Sequence, residues 1–191
     1  MSVQGHQITL VRHGETEWSK AGKHTGRTDI PLTETGEAAA RGLADRLAGV
    51  AYGAVWTSPS LRARTTCMLA GFGNEAVVKD DLAEWDYGDY EGITTKEIRE
   101  SRPGWFLFRD GCPNGEAAAD VGARADHIIA GLREQNANVL VFSSSHFLRV
   151  LAARWIGLPP EGGANFVLDT ASISVVGYER DTPVIRRWNQ T

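Results

Sequence analysis

Three polar clusters in the sequence contain residue types that could bind a phosphoryl group and react with it. Arg12 and His13 follow the apolar run "ITLV", Arg62 lies in "SPSLRAR", and "SSSHFLR" follows the apolar run "VLVF". Guanidinium forks match phosphate oxygens in pairs, and a helix N-terminus adds amide donors. A carboxylate would need fewer donors, so the pattern favours a phosphate dianion as the ligand.

His13 is the member of this set whose side chain could act as a nucleophile. A neutral imidazole nitrogen can attack phosphorus and form a phosphohistidine, which divides hydrolysis into two easier steps. Its other ring nitrogen must then be held by an acceptor, commonly a backbone carbonyl. The leaving alkoxide needs a proton, and Glu84 in "LAEWDYGDYEG" is the candidate donor, because Trp85 and Tyr87 could desolvate it.

Several other residues have either a functional or an ordinary structural interpretation. Arg64 is expected on a solvated helix face, while Arg109 is a candidate for contact with a second phosphate. His24 lies in a loop and is either a substrate contact or a solvated residue. The aromatic residues of "PGWFLFRDG" line a substrate pocket or form the small core of a lid; they are Trp105, Phe106 and Phe108. The acids around Glu84 lack the ordered spacing of a metal-binding loop, so neither a metal site nor a cofactor is predicted.

The elements that must position these residues follow from the hydrophobic pattern. Five stretches predict strands: "QITLVR", "AVWTS", "VLVFSS", "SISVVGY" and "PVIRRW". Four periodic stretches predict helices. The first follows Thr33 as its N-cap, and the second runs from Ser58 or Pro59 to about Ala70 with proline in its first turn. The third surrounds Ile128, and the fourth surrounds Leu151. Strands that alternate with helices predict an α/β fold with a mainly parallel sheet flanked by helices, ending in a hairpin. Ligands of such folds bind beyond the carboxyl ends of the strands.

Length and composition exclude several classes of protein. A chain of 191 residues with 42% hydrophobic and 23% charged residues predicts one domain spanning 1–191. Its net charge of -4 provides no basic surface for nucleic acid or for an anionic membrane. No apolar run approaches the roughly 18 residues of a membrane span, and "MSVQGHQ" lacks signal-peptide features, so a cytoplasmic location is expected. Cys67 and Cys112 match no metal or redox spacing and are expected to be free, buried thiols.

Several motifs, taken in order, resemble those of a known family. "LVRHGETEW", "TGRTDIPLTETG", "SPSLRAR" and "EWDYGDYEG" resemble the histidine phosphatase superfamily, which includes phosphoglycerate mutases and many phosphatases. "EWSKAGKHTGRTDIPLT", "EWDYGDYEG" and "RDGCPNGE" are similar to its branch of acid phosphatases and sugar-bisphosphate phosphatases, including sedoheptulose bisphosphatase. The resemblance covers residues 8 to 178. It implies a doubly wound, phosphoglycerate mutase-like fold.

The resemblance also implies a role for individual residues. His13 would be the phosphorylated nucleophile, and Arg12 and Arg62 would bind the phosphoryl group. Glu84 would donate the proton to the leaving oxygen and then activate water. Contacts to the phosphate or to the body of the substrate are implied for Ser19, Thr25 and Gly26. The implied substrate is a small phosphorylated metabolite such as a sugar phosphate or bisphosphate, with no nucleic acid or membrane partner and no indicated oligomeric state.

The sequence departs from the family pattern after the "VLVF" stretch. Ser144 occupies the position of the family's second pocket histidine, and Ser145 replaces the glycine that follows it. Loss of one such donor costs on the order of a hundredfold to a thousandfold in rate, and a serine hydroxyl donates without charge. His146 could substitute if residues 143 to 146 are extended, whereas a helix that begins at 145 would separate positions 144 and 146 by about 200°.

Two functions therefore stand beside phosphomonoester hydrolysis. The replacement of that histidine by Ser144 makes the alternative a binding protein, which would hold a phosphorylated ligand with little turnover. A phosphoglycerate mutase is less favoured, because mutases that resemble this family have a longer chain, with an insertion after the acid-bearing loop.

Overall fold

A computed structural model describes residues 6–191, which contain a six-stranded mixed sheet. The strands are β1 (Ile8–Arg12), β2 (Ala54–Thr57), β3 (Ala76–Val78), β4 (Val139–Ser143), β5 (Ile173–Glu179) and β6 (Thr182–Gln190). Their order is β3-β2-β4-β1-β5-β6, with β3, β2, β4 and β1 parallel, and with β5 and β6 antiparallel to their neighbours. The prediction that the chain lacks a leader rests in part on residues 1–5, which lie outside the described residues.

Within residues 6–191, seven α-helices connect and cover these strands. They are α1 (Glu17–Lys20), α2 (Glu34–Leu47), α3 (Leu61–Leu69), α4 (Thr95–Ser101), α5 (Leu107–Asp110), α6 (Ala118–Arg133) and α7 (Ser145–Trp155). Short 3₁₀ turns cover Asp80–Leu82, Gly88–Tyr90 and Pro160–Asn165. The Thr33 hydroxyl accepts a hydrogen bond from Gly36 N at the start of α2, which confirms the predicted N-cap.

Helices cover both faces of the sheet, because the central strands are apolar on both sides. Ile8 and Leu10 of β1 belong to a core shared with α6 and α7. Val11 of β1 points the other way, into a core shared with α2 and α3. Side chains alternate across a strand, so a strand buried on both faces reads as a continuous apolar run. The predicted doubly wound, mainly parallel α/β fold is confirmed, as is the terminal hairpin of β5 and β6.

The structure differs from the predicted elements at several places, which include the short unpredicted helices α1 and α5. Strand β3 was not predicted. It has only three residues at the sheet edge, with Val77 and Val78 exposed, so its buried and exposed residues do not alternate as in a longer strand. Helix α4 lies in the segment from Lys79 to Glu116, which shows no clear hydrophobic periodicity and for which no helix was predicted. Thr94 and Glu97 nevertheless form a capping box at its start. Helix α3 begins at Leu61, which places Pro59 before the helix rather than in its first turn.

The sheet topology brings the three polar clusters to one edge. Arg12 at the end of β1 pairs in register with Ser143 at the end of β4, and Thr57 of β2 pairs with Phe142. Parallel strands end on the same side of a sheet, so the residues that follow them meet there. The clusters around His13, Arg62 and Ser144 therefore share one end of the molecule.

Three further observations concern the cysteines, metal binding and membrane-spanning helices. Both cysteines are free and buried, as predicted, and burial raises the pKa of the Cys67 and Cys112 thiols to about 12, which leaves them as unreactive thiols at neutral pH. Within residues 6–191, no cluster of three or more His, Cys, Asp or Glu side chains could hold a metal ion. No helix in that range has the length and apolar character needed to cross a membrane.

Candidate active site

His13 presents an unprotonated ring nitrogen at the end of β1. Its Nδ1 lies 2.8 Å from the Gly14 carbonyl oxygen, which can only accept, so Nδ1 carries the proton and Nε2 keeps its lone pair. Burial lowers the pKa of His13 well below 6.5, and the charges of Arg62 and Arg12 lower it further. The side chain is only 4% exposed but lines a cavity. The imidazole is therefore neutral and points its reactive nitrogen away from the backbone.

The backbone after His13 is fixed by close contacts. Gly14 N donates to the Thr66 hydroxyl at 3.0 Å, and that hydroxyl donates to the Arg62 carbonyl at 2.7 Å. A Cβ on Gly14 would lie 2.5 Å from the Gly36 carbonyl oxygen at the start of α2. Only glycine permits this approach, which holds the His13 loop between α2 and α3.

Arg62 is fully buried at the second position of α3 and holds the loop between α1 and α2. Its Nη2 donates to the carbonyl oxygens of Thr25 at 2.8 Å and Gly26 at 2.9 Å, and Nη1 donates to Thr28 O at 3.2 Å. Gly26, predicted as a substrate contact, gives its carbonyl oxygen to this guanidinium and donates its amide proton to the Glu91 carboxylate. Three carbonyl acceptors orient the guanidinium group and leave its Nε for another partner.

Three buried polar atoms in the described part of the chain have no hydrogen-bond partner: Arg12 Nε, Arg62 Nε and Ser144 Oγ. All three can donate a hydrogen bond. Both guanidinium groups are close enough to depress the pKa of His13, and His13 N donates to the carbonyl of Ser143, next to Ser144. A buried donor without a partner costs about 1–3 kcal/mol, so such atoms are uncommon away from ligand sites. Their concentration around one imidazole indicates an anion-binding site.

Glu84 lies beside the cluster and caps helix α7. Its Oε1 accepts from Trp85 N at 2.9 Å and Phe147 N at 2.8 Å, and its Oε2 accepts from His146 N at 3.0 Å. The side chain is 6% exposed and lines the same cavity as His13. Because Oε2 accepts only one of these three bonds, it keeps acceptor capacity for a further partner.

The cavity next to His13 has a volume of about 350 Å³, which suits a small metabolite. Six residues that the sequence predicted for the site line it: Arg12, His13, Ser19, Thr25, Glu84 and His146. The aromatic residues Trp105, Phe106 and Phe108 form part of its wall, so two of them, Trp105 and Phe108, serve both as core and as pocket. The other three predicted residues do not line this cavity: Arg62 and Ser144 are fully buried, and Gly26 lines a second cavity that also contacts Glu84.

The structure decides between the two arrangements considered for Ser144 and His146. Helix α7 begins at Ser145 with Ser144 as its N-cap, so the two side chains diverge. Ser144 is fully buried beside His13, while His146 lines the cavity and contacts the Tyr87 hydroxyl through Nδ1 at 2.6 Å. The side chains of Ser144 and His146 therefore have different surroundings, as expected for a helix that begins at 145.

Other predicted residues have clear positions. The Ser19 hydroxyl closes a capping box with Thr16 at the start of α1 and also lines the cavity. Arg64 is exposed, as predicted. Arg109 pairs with the neighbouring Asp110 at 2.7 Å and does not line the cavity, so the expected contact with a second phosphate is wrong for this residue.

Sequence reasoning missed three cationic residues that line the cavity: Lys23, Arg99 and Arg149. Arg149 could have been found, because it follows His146 by three residues on one helix, and that spacing places both on one face. Arg99 lies on α4, which the sequence did not predict.

Comparison with known proteins extends over nearly the whole chain. Residues 8–191 match the family model described as "Histidine phosphatase superfamily (branch 1)". An acid phosphatase of Mycobacterium tuberculosis is 45% identical over 185 residues, which cover 94% of this chain and 90% of that protein. Sedoheptulose 1,7-bisphosphatase of Saccharomyces cerevisiae is 35% identical over 207 residues, covering 91% and 75%. The solved structure of an open reading frame product of Mycobacterium tuberculosis has a TM-score of 0.92 at 41% identity, covering 97% and 98%.

Proposed function

The chain belongs to the histidine phosphatase superfamily (branch 1), and from that premise we propose that it hydrolyses a small phosphomonoester through a phosphohistidine on His13 Nε2. The similar proteins named acid phosphatase and sedoheptulose 1,7-bisphosphatase support a phosphatase rather than a mutase. They also support a phosphorylated sugar or a similar metabolite as the substrate.

The observation that carries this proposal is the set of donors around His13. Arg12 Nε, Arg62 Nε and Ser144 Oγ are buried donors without partners in the described residues, beside an imidazole whose Nε2 is unprotonated. The three nonbridging oxygens of a phosphoryl group would accept from all three. In-line attack then needs only that the ester oxygen point away from His13, toward the cavity.

The reaction has two steps, and each conserves charge and protons. In the first, the Nε2 lone pair forms the N–P bond, the P–O bond to the alcohol breaks, and Glu84 Oε2 gives its proton to the leaving oxygen. In the second, the Glu84 carboxylate takes a proton from water, whose oxygen displaces Nε2 from phosphorus and yields phosphate. Arg12 and Arg62 stabilise the charge on the nonbridging oxygens throughout.

The outer part of the cavity supports a substrate with further polar groups. Lys23, Arg99 and Arg149 line it in addition to Arg12, and Glu84 is the one acid among its lining residues. This excess of positive charge suits a second anionic group, as in a sugar bisphosphate.

Phosphate release from p-nitrophenyl phosphate tests the proposal. We expect His13→Ala to lower kcat/KM by at least about a thousandfold, because the nucleophile is lost. The exposed His127→Ala variant is the control and should retain the wild-type rate. Acid-quenched wild-type protein should not carry phosphate, and base-quenched protein should, because a phosphohistidine is labile to acid.

Equal rates for the wild-type protein and His13→Ala would contradict the proposal. Combined with tight vanadate binding, that result would favour the alternative of a phospho-ligand binding protein. This alternative arises because Ser144 offers an uncharged donor where the family resemblance implies a histidine.

A further inference from the structure

We propose that His24 and His146 form a donor–acceptor pair that binds a hydroxyl group of the leaving alcohol, so that the site selects polyol phosphates. The proposal rests on the proposed phosphatase function and concerns the part of the cavity beyond Glu84. Both histidines line that cavity, and neither takes part in the chemical steps described above.

His24 presents a hydrogen-bond acceptor to the cavity. Its Nδ1 lies 2.8 Å from the Ile93 carbonyl oxygen, and a carbonyl oxygen can only accept. Nδ1 therefore carries the proton. Burial lowers the pKa of His24 below 6.5, so the ring is neutral and Nε2 keeps its lone pair.

His146 presents a hydrogen-bond donor to the cavity. Its Nδ1 lies 2.6 Å from the Tyr87 hydroxyl, and burial raises the Tyr87 pKa well above 10, so the phenol keeps its proton. A phenol O–H is a much stronger acid than a neutral imidazole N–H, and an imidazole nitrogen is the stronger base, so Tyr87 donates to Nδ1. Burial also lowers the pKa of His146 well below 6.5. The ring is therefore neutral, with its single proton on Nε2.

The two rings are held as a rigid pair. Their centroids lie 6.4 Å apart and their planes differ by 14°. Tyr87 contacts both rings edge to face, at 4.8 Å from His24 and 5.9 Å from His146, and Trp105 packs against the edge of His24 at 5.6 Å. Neither ring can rotate without breaking its Nδ1 hydrogen bond, so the difference in polarity between the two Nε2 atoms is fixed.

This pair distinguishes among chemical groups of the substrate. A hydroxyl can donate to His24 Nε2 and accept from His146 Nε2–H at once. An ionised carboxylate or phosphate can only accept, which leaves the His24 lone pair facing a negative charge. An ammonium group can only donate, and a methylene satisfies neither nitrogen. The pair therefore selects an alcohol that carries a further hydroxyl.

Matched substrates test the proposal without any mutation. We expect kcat/KM for glycerol 1-phosphate and erythritol 4-phosphate to exceed that for n-propyl and n-butyl phosphate by about tenfold or more, since two neutral hydrogen bonds are lost with the hydroxyls. His24→Asn and His146→Asn should reduce this ratio toward one. Asparagine reproduces the contact of Nδ1 with Ile93 or Tyr87 but has no atom at the position of Nε2.

The surface variant His127→Asn is the matched control and should keep the wild-type ratio. A wild-type ratio near one in both substrate pairs would overturn the proposal, as would an unchanged ratio in both Asn variants. In either case, hydrolysis of p-nitrophenyl phosphate that depends on His13 would show that the proposed phosphatase function still stands. Failure to hydrolyse p-nitrophenyl phosphate would instead contradict that function.

Discussion

At the residue scale, Ser144 combines a buried hydroxyl with a position at the start of α7. Its hydroxyl is fully buried, has no partner among the described residues, and does not cap α7 although Ser144 is the N-cap residue. N-cap serines ordinarily bond to the backbone of the first turn. Here the Glu84 carboxylate accepts those amide protons, which leaves the Ser144 hydroxyl available to a phosphoryl oxygen.

Replacement of Ser144 by alanine should separate activity from stability. We expect Ser144→Ala to lower kcat for p-nitrophenyl phosphate by about tenfold to a hundredfold, because one donor to the phosphoryl oxygens is lost. The free energy of unfolding should stay equal or rise by up to about 1 kcal/mol, because a buried hydroxyl without a partner disappears. Steady-state kinetics and urea unfolding of the same preparations measure both quantities. A drop in stability with unchanged kcat would show that the hydroxyl serves the fold instead.

The sequence predicted the residues whose position follows from a strand end, and missed those that depend on packing. Arg12 and His13 directly follow β1, so their meeting with the end of β4 was predictable from a parallel sheet. The contact of Tyr87 with His146 joins residues 59 positions apart, through a segment with no periodicity. No local pattern encodes such a contact. Glu84 was a candidate from the sequence because Trp85 and Tyr87 lie close to it, and the resemblance to a family implied the same role for it.

At the scale of elements, one carboxylate links the acid-bearing loop to helix α7. Glu84 accepts amide protons from His146 and Phe147 in the first turn of that helix. A negative charge at this end is stabilised by the helix dipole. The proposed proton donor is therefore also the cap of the helix that carries His146 and Arg149.

Two substitutions of Glu84 should distinguish its chemical role from its capping role. We expect Glu84→Gln to lower kcat by about a hundredfold to ten-thousandfold, since an amide cannot transfer the proton. It should destabilise the protein by only about 1 kcal/mol, because one amide oxygen still accepts. Glu84→Ala should destabilise it by about 2–3 kcal/mol, because all three amide protons lose their acceptor. Thermal unfolding and phosphate release measure the two effects, and equal stability of the two variants would exclude the capping role.

Most of the helices and strands that the sequence predicted have an apolar stripe or a buried run, although β6 has no fully buried residue. Helix α2 was predicted through Thr33 and its periodic apolar positions, and the structure agrees. Strand β3 and helix α4 were missed, because three residues and seven residues are too short to establish a period. Helix α4 nevertheless carried a readable signal in "TTKE", the capping box from Thr94 to Glu97.

At the scale of the whole molecule, the three histidines that line the cavity next to Glu84 have pKa values lowered by the fold. Burial is the first cause of the lowered pKa at His13, His24 and His146, and nearby arginines contribute at His13 and His146. The backbone carbonyls of Gly14 and Ile93 oppose this shift at His13 and His24, but only in part. The proposed nucleophilic role of His13 and the proposed hydroxyl recognition by His24 and His146 both require neutral rings, and burial favours the neutral form of all three.

This arrangement predicts a loss of stability in mild acid. The unfolded chain binds a proton at each of these histidines as the pH falls through about 6.5, while the folded chain does not. The unfolded state then carries more protons, so the free energy of unfolding falls as the pH falls, by up to about 1.4 kcal/mol per pH unit for each histidine. Above pH 6.5 both states are neutral at these sites, and they contribute no slope.

Urea unfolding at several pH values between 7.5 and 5 measures this slope. The His146→Asn variant should lose about one histidine's share of it, because its side chain no longer titrates in the unfolded state. A flat profile down to pH 5 would mean that the folded protein takes up protons at the same pH as the unfolded chain. The rings would then be charged in mild acid, and neither a nucleophilic His13 nor a donor–acceptor pair of His24 and His146 could persist there.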